Sequence, residues 1–368
     1  MRLAKKIISH NSYERGNRSS SKGSFKKPPK CLYFNSPHKQ GITSIQLYGN
    51  TLFSASSDGM IKMWDIRTEK HVNSLLDITK MEGILTFKTD GVYLAAGYMD
   101  GYLRLWNITN GKLLYRFENP DNDNEKEIVH PLTHLLMDAD HLFCGYSNGK
   151  IRLFDKREGT LLATLDDIQK PISKLIYHEG YLISLYQDGR IRIWECDDLN
   201  SGISLSGHNY PISSCVMDTT LLVTGDKKGF TLIQNWKTKD VLKTFQAHTS
   251  EISAMAMSSD WILTGSKSGD INMWDRQTLT LSATFNCGSS IKKLNLRYPF
   301  LSCILEDNTL IIRNLIRRIN AYHTSLDPSS HPKYGKQIHQ CPTIQILDST
   351  RVIIGYSNGT LSLFKYRK

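Results

Sequence analysis

One pattern recurs along the chain: an apolar run, a tight turn with glycine, and a second strand that usually ends in an aromatic and a polar residue. The copies read LFSASSDGMIKMWD (52–65), LAAGYMDGYLRLWN (94–107), LFCGYSNGKIRLFD (142–155), LISLYQDGRIRIWE (182–195), LLVTGDKKGFTLIQ (221–234), ILTGSKSGDINMWD (262–275) and VIIGYSNGTLSLFK (352–365). A weaker copy, LSCILEDNTLIIRN (301–314), carries Asn308 where the others have Gly59, Gly101, Gly149, Gly189, Gly229, Gly269 and Gly359. The steps between these turn residues are 42, 48, 40, 40, 40, 39 and 51 residues. A unit of this length cannot bury both its faces alone and must stack on copies of itself, so the period predicts the blades of a propeller.

Each copy joins two alternating β-branched or aromatic runs through Asp-Gly, Asn-Gly or a related pair, a strong hairpin signal. A third run precedes each hairpin, as in ITSIQL (42–47), ISSCVM (212–217) and IKKLNL (291–296), and a fourth follows, as in KLLYRF (112–117) and VLKTF (241–245). Four strands per unit make one blade. The last hairpin ends at Phe364, which leaves that blade without an outer strand, while CLYF (31–34) has no partner of its own. The expected fold is therefore all-β: an eight-bladed propeller over 30–368, closed by the N-terminal strand pairing in the last blade. Seven blades with one copy outside the ring is the alternative.

These residues resemble the WD-repeat family over nearly the whole chain from residue 30. Family blades often hold a buried network of His, Ser or Thr, Asp and Trp. The resemblance places it in the first blade at His38, Ser56, Asp58 and Trp64, and in the sixth at His248, Ser266 and Trp274, with Ser268 in the Asp place. The fifth keeps Gly207-His208, with Lys228 in that place. Tyrosine stands at the serine position in four other blades: Tyr98, Tyr146, Tyr186 and Tyr356. These rings either pack between blades where the polar network is missing or line a partner-binding patch on the turn face.

The formal charge of +11 is unevenly spread. Residues 1–30 hold nine basic residues and one acid, and Lys365, Arg367 and Lys368 add three more basic residues, leaving 34 basic and 34 acidic residues in 31–364. The propeller body is thus neutral between two basic ends. A cluster of that sign attracts RNA, an anionic surface or an acidic partner; the same composition also suits a solvated, flexible arm over 1–29. The arm is Arg- and Ser-containing and acid-poor, as mitochondrial presequences are, but Ile7-Ile8 supply too little apolar surface for their amphipathic helix. No apolar stretch is long enough to span a membrane. The seven scattered cysteines, without C-x-x-C, favour neither a disulfide framework nor zinc. A reducing compartment, cytoplasm or nucleus, is expected.

Residues 5–23 are loosely similar to the basic linker before the propeller in F-box/WD-repeat ubiquitin-ligase receptors, mainly through Tyr13-Glu14-Arg15 and Asn17-Arg18. The helical F-box itself does not precede this stretch. The resemblance implies a ligase adaptor as partner and a peptide substrate on the propeller face.

Enzyme signatures are weak. Gly145-Tyr146-Ser147-Asn148-Gly149 and Gly355-Tyr356-Ser357-Asn358-Gly359 fit G-x-S-x-G in letters. That motif needs a strand-to-helix elbow, and these segments are hairpin turns. No P-loop spacing or H-E-x-x-H occurs, so no cofactor, metal or small-molecule substrate is expected. Partners are expected on the turn face, where Lys227, Lys228 and Lys267 form a basic patch suited to an acidic or phosphorylated peptide. Two insertions interrupt the period, at 118–127 and 316–342, and long loops on a rigid scaffold often carry function. The whole reads as a non-catalytic interaction scaffold: a ubiquitin-ligase substrate-recognition subunit, or alternatively a component of an RNA–protein particle whose basic ends contact RNA.

Overall fold

Turn chemistry sets the blades. In the computed structural model, which describes residues 30–34, 37–79, 82–118, 130–166, 168–196, 198–316, 319–325, 343–348 and 351–365, each repeat closes into a four-stranded antiparallel sheet, and there are eight. Blade one runs Ile42–Tyr48, Thr51–Ser56, Met60–Asp65 and Lys70–Leu76, with Leu52 opposite Trp64 and Ala55 opposite Ile61. The turn glycines are needed twice over. Gly229 has φ +87°, and a Cβ there would stand 2.0 Å from the His248 carbonyl oxygen of the next blade's entry loop. Side chains rarely tolerate that φ, and nothing but hydrogen fits the contact. Asn308 holds the same conformation at φ +60°, which asparagine tolerates better than most residues.

The second strand of each blade is buried almost throughout, as in Leu52–Ser56 and Leu182–Tyr186, because both its faces lie against neighbouring blades. This explains why these segments read as continuous apolar runs rather than alternating ones. Outer strands instead alternate exposed and half-buried residues. Apolar clusters bridge adjacent blades all round the ring. Phe53, Ile61 and Leu75 of blade one pack on Phe87, Leu94 and Trp106 of blade two. Across the closure, Ile353 and Leu363 of blade eight pack on Leu52 and Trp64. Each large side chain removed from water there contributes about 1.5–3 kcal/mol.

Ring closure occurs as expected. Lys30–Tyr33 pairs antiparallel with Leu361–Lys365, with Cys31 opposite Phe364 and Leu32 opposite Leu363. The weak copy forms a full blade, Ile291–Arg297, Phe300–Leu305, Thr309–Asn314 and Ile319–Ser325, so the ring has eight blades rather than seven. One boundary is corrected: Ile319–Ser325 is the outer strand of blade seven, not part of an insertion beginning at 316. Its alternating INAYHTS pairs in register with 309–314, which the preceding Leu-Ile-Arg-Arg had obscured. Residues 326–342, most of insertion 118–127 and the arm 1–29 lie outside the described residues. No helix among the described residues is long and apolar enough to cross a membrane.

Candidate functional site: the blade networks and the turn face

The polar network of blade one forms, with a different hydroxyl from the one expected. Trp64 Nε1 donates to Ser54 Oγ at 2.9 Å, and Ser54 Oγ lies 2.8 Å from His38 Nε2. His38 Nδ1 faces Asp58 at 3.2 Å. His38 Nδ1–H donates to the carboxylate, and Nε2 closes the chain at the serine hydroxyl. Burial pushes the Asp58 carboxyl up, but the His38 hydrogen bond and charge, with the Lys39 and Met60 amides, outweigh it and hold the group at about 2. Ser56 sits outside this chain. It donates to the Gln40 carbonyl and accepts the Asp58 amide. Both serines face one side of the strand, but Trp64 lies opposite Leu52, so its indole reaches the nearer hydroxyl.

The same correction applies in blade six. Thr264, not Ser266, bonds His248 Nε2 (2.8 Å) and Trp274 Nε1 (3.1 Å), while Ser266 pairs with Ser268. In blade five, Thr224 takes the hydroxyl place, 2.8 Å from His208 Nε2. The carboxylate comes from Asp226, 3.2 Å from His208 Nδ1, two residues before the position where Lys228 had implied its loss. Burial lowers the pKa of His208 and His248, against the opposing charges of Asp226 and Asp270 respectively.

All four tyrosines are buried, which overturns the surface-patch expectation and leaves the packing role. They lie on the strand that neighbouring blades cover from both sides. In blade four the Tyr186 hydroxyl meets Ser184 Oγ at 3.3 Å, and Trp194 Nε1 donates to that same oxygen. Tyrosine here fills the histidine's place from within the strand. In blade eight Tyr356 bonds Ser362 at 2.9 Å. In blades two and three an arginine lies over the ring instead: Arg104 at 3.9 Å from the Tyr98 centroid and Arg152 at 4.9 Å from Tyr146. Buried Arg104 is neutralised by Asp77 and Asp100, both at 2.8 Å. Asp77 also takes Arg116; burial raises its pKa, and the bonds from Thr79 and the two arginines carry it well below the usual range. Sequence reading missed this cluster, because its members come from the blade link and two different strands.

On the turn face the basic patch is smaller than expected. Lys227 and Lys228 are exposed. Lys267 is bound to Glu251 at 2.8 Å, which offsets its charge. Lys228 Nζ lies 5.8 Å from the ring of Tyr210, which is 42 % exposed, and Phe230 is exposed just beyond the turn. The patch is thus two lysines with an aromatic neighbour. Another positive feature lies on the inner strands. Lys88 of blade two and Lys174 of blade four belong to blades separated by a third, yet the charge of Lys174, added to burial, lowers the Lys88 pKa. Both G-x-S-x-G matches lie in strand–turn–strand hairpins, with Gly145 opposite Ile151 and Gly355 opposite Leu361. No group of three or more His, Cys, Asp or Glu positioned for a metal occurs among the described residues.

Comparison with known proteins fits this geometry. The WD domain, G-beta repeat family matches residues 29–65, 69–107 and 239–275. Human pre-mRNA-processing factor 17 is 26 % identical over 153 residues, covering 38 % of this chain and 24 % of that protein. The G-protein beta subunit of Oryza sativa subsp. indica is 28 % identical over 142 residues, 37 % of each chain. The match thus spans 24 % of the length of the first of these curated relatives and 37 % of the second. The C-terminal WD40 domain of Sif2 superimposes with a TM-score of 0.74 at 16 % identity, covering 94 % of this chain and all of that one. Repeat matches over 29–65, 69–107 and 239–275, the blade networks and a closed ring of eight sheets together show an eight-bladed β-propeller that carries WD repeats.

Proposed function

We propose that this propeller is a non-catalytic scaffold that holds protein partners on its rim, with an acidic or phosphorylated peptide docking on the turn face of blades five and six. The supporting observation is the exposed pair Lys227 and Lys228 beside Tyr210, a local positive and aromatic surface on an otherwise neutral ring. Lysine ammonium groups attract a phosphate or carboxylate as point charges, and the tyrosine ring supplies apolar contact. Partner holding is also what WD-repeat propellers generally do. In its most specific form the chain is the substrate-recognition subunit of a ubiquitin ligase, working in the cytoplasm or nucleus through a ligase adaptor.

A second reading, a scaffold within an RNA–protein particle, draws support from the likeness to pre-mRNA-processing factor 17. The basic chain ends, 1–30 and the C-terminus, would then contact RNA. Affinity purification of the tagged chain with and without RNase, alongside Lys227→Glu/Lys228→Glu, separates the readings. A ligase adaptor retained through RNase, with an acidic partner lost from the double variant, is the expected result. A double variant that keeps every partner sinks the docking surface. Partners lost on RNase treatment retire the ligase form.

A further inference from the structure

Blade seven lacks the network described above, and its replacement has a chemistry of its own. In blades one, five and six the histidine lies 21 residues before the turn glycine and the network hydroxyl five before it; in blades one and six the tryptophan lies five after it. Counting from Asn308, those three places hold Cys287, Cys303 and Arg313. Two thiols and a guanidinium thus replace an imidazole, a hydroxyl and an indole.

The structure brings the three together. Cys287, Cys303 and Arg313 line one small cavity, about 20 Å³, with Phe285 and Leu301. Arg313 lies over the Phe285 ring at 4.4 Å, much as Trp274 lies against Phe245 at 4.5 Å one interface earlier. Cys303 is buried at 1 % exposure in the second strand, while Cys287, in the link from blade six, is only partly buried. The two thiols are therefore unequal. A hydrogen bond from Cys303 and the charge of Arg313 favour the thiolate at Cys287 over the opposing effects of burial and Asp270. That same hydrogen bond, with burial, keeps Cys303 protonated. Cys144 and Cys215 contrast with this pair: burial alone dominates and pushes both thiols up, the usual state of a packing cysteine.

We propose that Cys287 and Cys303 form a peroxide-reactive dithiol, with Cys287 as the attacking sulfur and Cys303 as the resolving one. The Cys287 thiolate attacks one oxygen of hydrogen peroxide; an S–O bond forms, the O–O bond breaks, and the leaving hydroxide takes a proton to become water. Cys287 is now a sulfenic acid. The Cys303 sulfur gives up its proton and attacks Cys287; the S–S bond forms, the S–O bond breaks, and a second water leaves. Two thiols have lost two electrons and one peroxide has become two waters. A dithiol reductant reverses the change by thiol–disulfide exchange. The product links the blade-six exit loop to the second strand of blade seven, stapling that interface from within.

The test uses the full reduced chain, treated with hydrogen peroxide and mapped by non-reducing peptide mass spectrometry. A Cys287–Cys303 linked peptide is expected, formed at least tenfold faster than any oxidation of Cys144 or Cys215 and cleared by dithiothreitol. In Cys303→Ser, dimedone is expected to trap a sulfenic acid at Cys287; in Cys287→Ser, Cys303 is expected to remain a thiol. The wild-type map stands even where a variant does not fold. Oxidation of Cys287 without the linked peptide, or reaction of Cys287 no faster than of Cys144, overturns the proposal.

Discussion

Blade one and blade seven occupy equivalent places in the same ring with different interiors. In blade one, four polar groups from the entry loop, two strands and the turn form a continuous hydrogen-bonded chain, Trp64 to Ser54 to His38 to Asp58. In blade seven, two cysteines and an arginine take the corresponding places. Both blades nonetheless pair four strands in the same register and bury the same second strand. The difference separates two jobs. Apolar clusters between blades and the hairpin turns build the ring. Several chemistries fill the polar interior: imidazole in blades one, five and six, a tyrosine hydroxyl in blades four and eight, and an arginine over a tyrosine ring in blades two and three. A blade freed from the network can hold reactive groups.

The largest expected contrast comes from truncating the first position of each interior. His38→Ala takes one partner each from the buried Asp58 carboxylate and Ser54 and leaves a cavity in place of the ring, and is expected to cost about 3 kcal/mol. Cys287→Ala removes one partly buried sulfur and is expected to cost about 1 kcal/mol. Urea denaturation of both variants checks this; equal losses would break the distinction between a network blade and a thiol blade. Next in size is the choice of hydroxyl. Ser54→Ala removes the acceptor of the buried Trp64 N–H and is expected to cost about 2 kcal/mol, Ser56→Ala about 1 kcal/mol. The reverse order in thermal melts would restore Ser56 to the network.

The smallest contrast is in pH. His208 and His248 have lowered folded-state pKa values, so as pH falls below about 6.5 the unfolded chain takes up protons before the folded one does, and stability drops. Asp58, held at about 2, contributes stability above its unfolded value that is lost only as pH falls from about 4 towards 2. Denaturation between pH 7.5 and 5 is therefore expected to show a loss that His208→Gln and His248→Gln diminish and that Asp58→Asn leaves in place. A loss unchanged in the two histidine variants would place its origin elsewhere.

Much of the fold was legible because the repeat is local. A positive-φ turn, two flanking runs and a fixed spacing each leave their mark within one stretch, and even the ring closure followed from counting strands against CLYF (31–34). The site was less legible where the decision lay between equals. Ser54 and Ser56 share a strand face, and only the lean of the Trp64 ring chose between them. The tyrosines left both packing and a surface patch open until the neighbouring blades covered them. Asp226 lies two residues before the Asp place of the repeat, and only the fold brings it to His208.

The sequence by itself determined the period, the hairpins and the strand that closes the ring, because backbone sterics and side-chain alternation act over a few residues; that the weak copy counts as an eighth blade was decided by the structure. Only the tertiary structure decided which side chains meet: Asp77 with Arg104 and Arg116, Lys228 with Tyr210, and Cys287 with Cys303. These groups come from segments that closure of the ring brings together, and their contacts depend on side-chain direction and neighbour packing, which spacing along the chain does not encode.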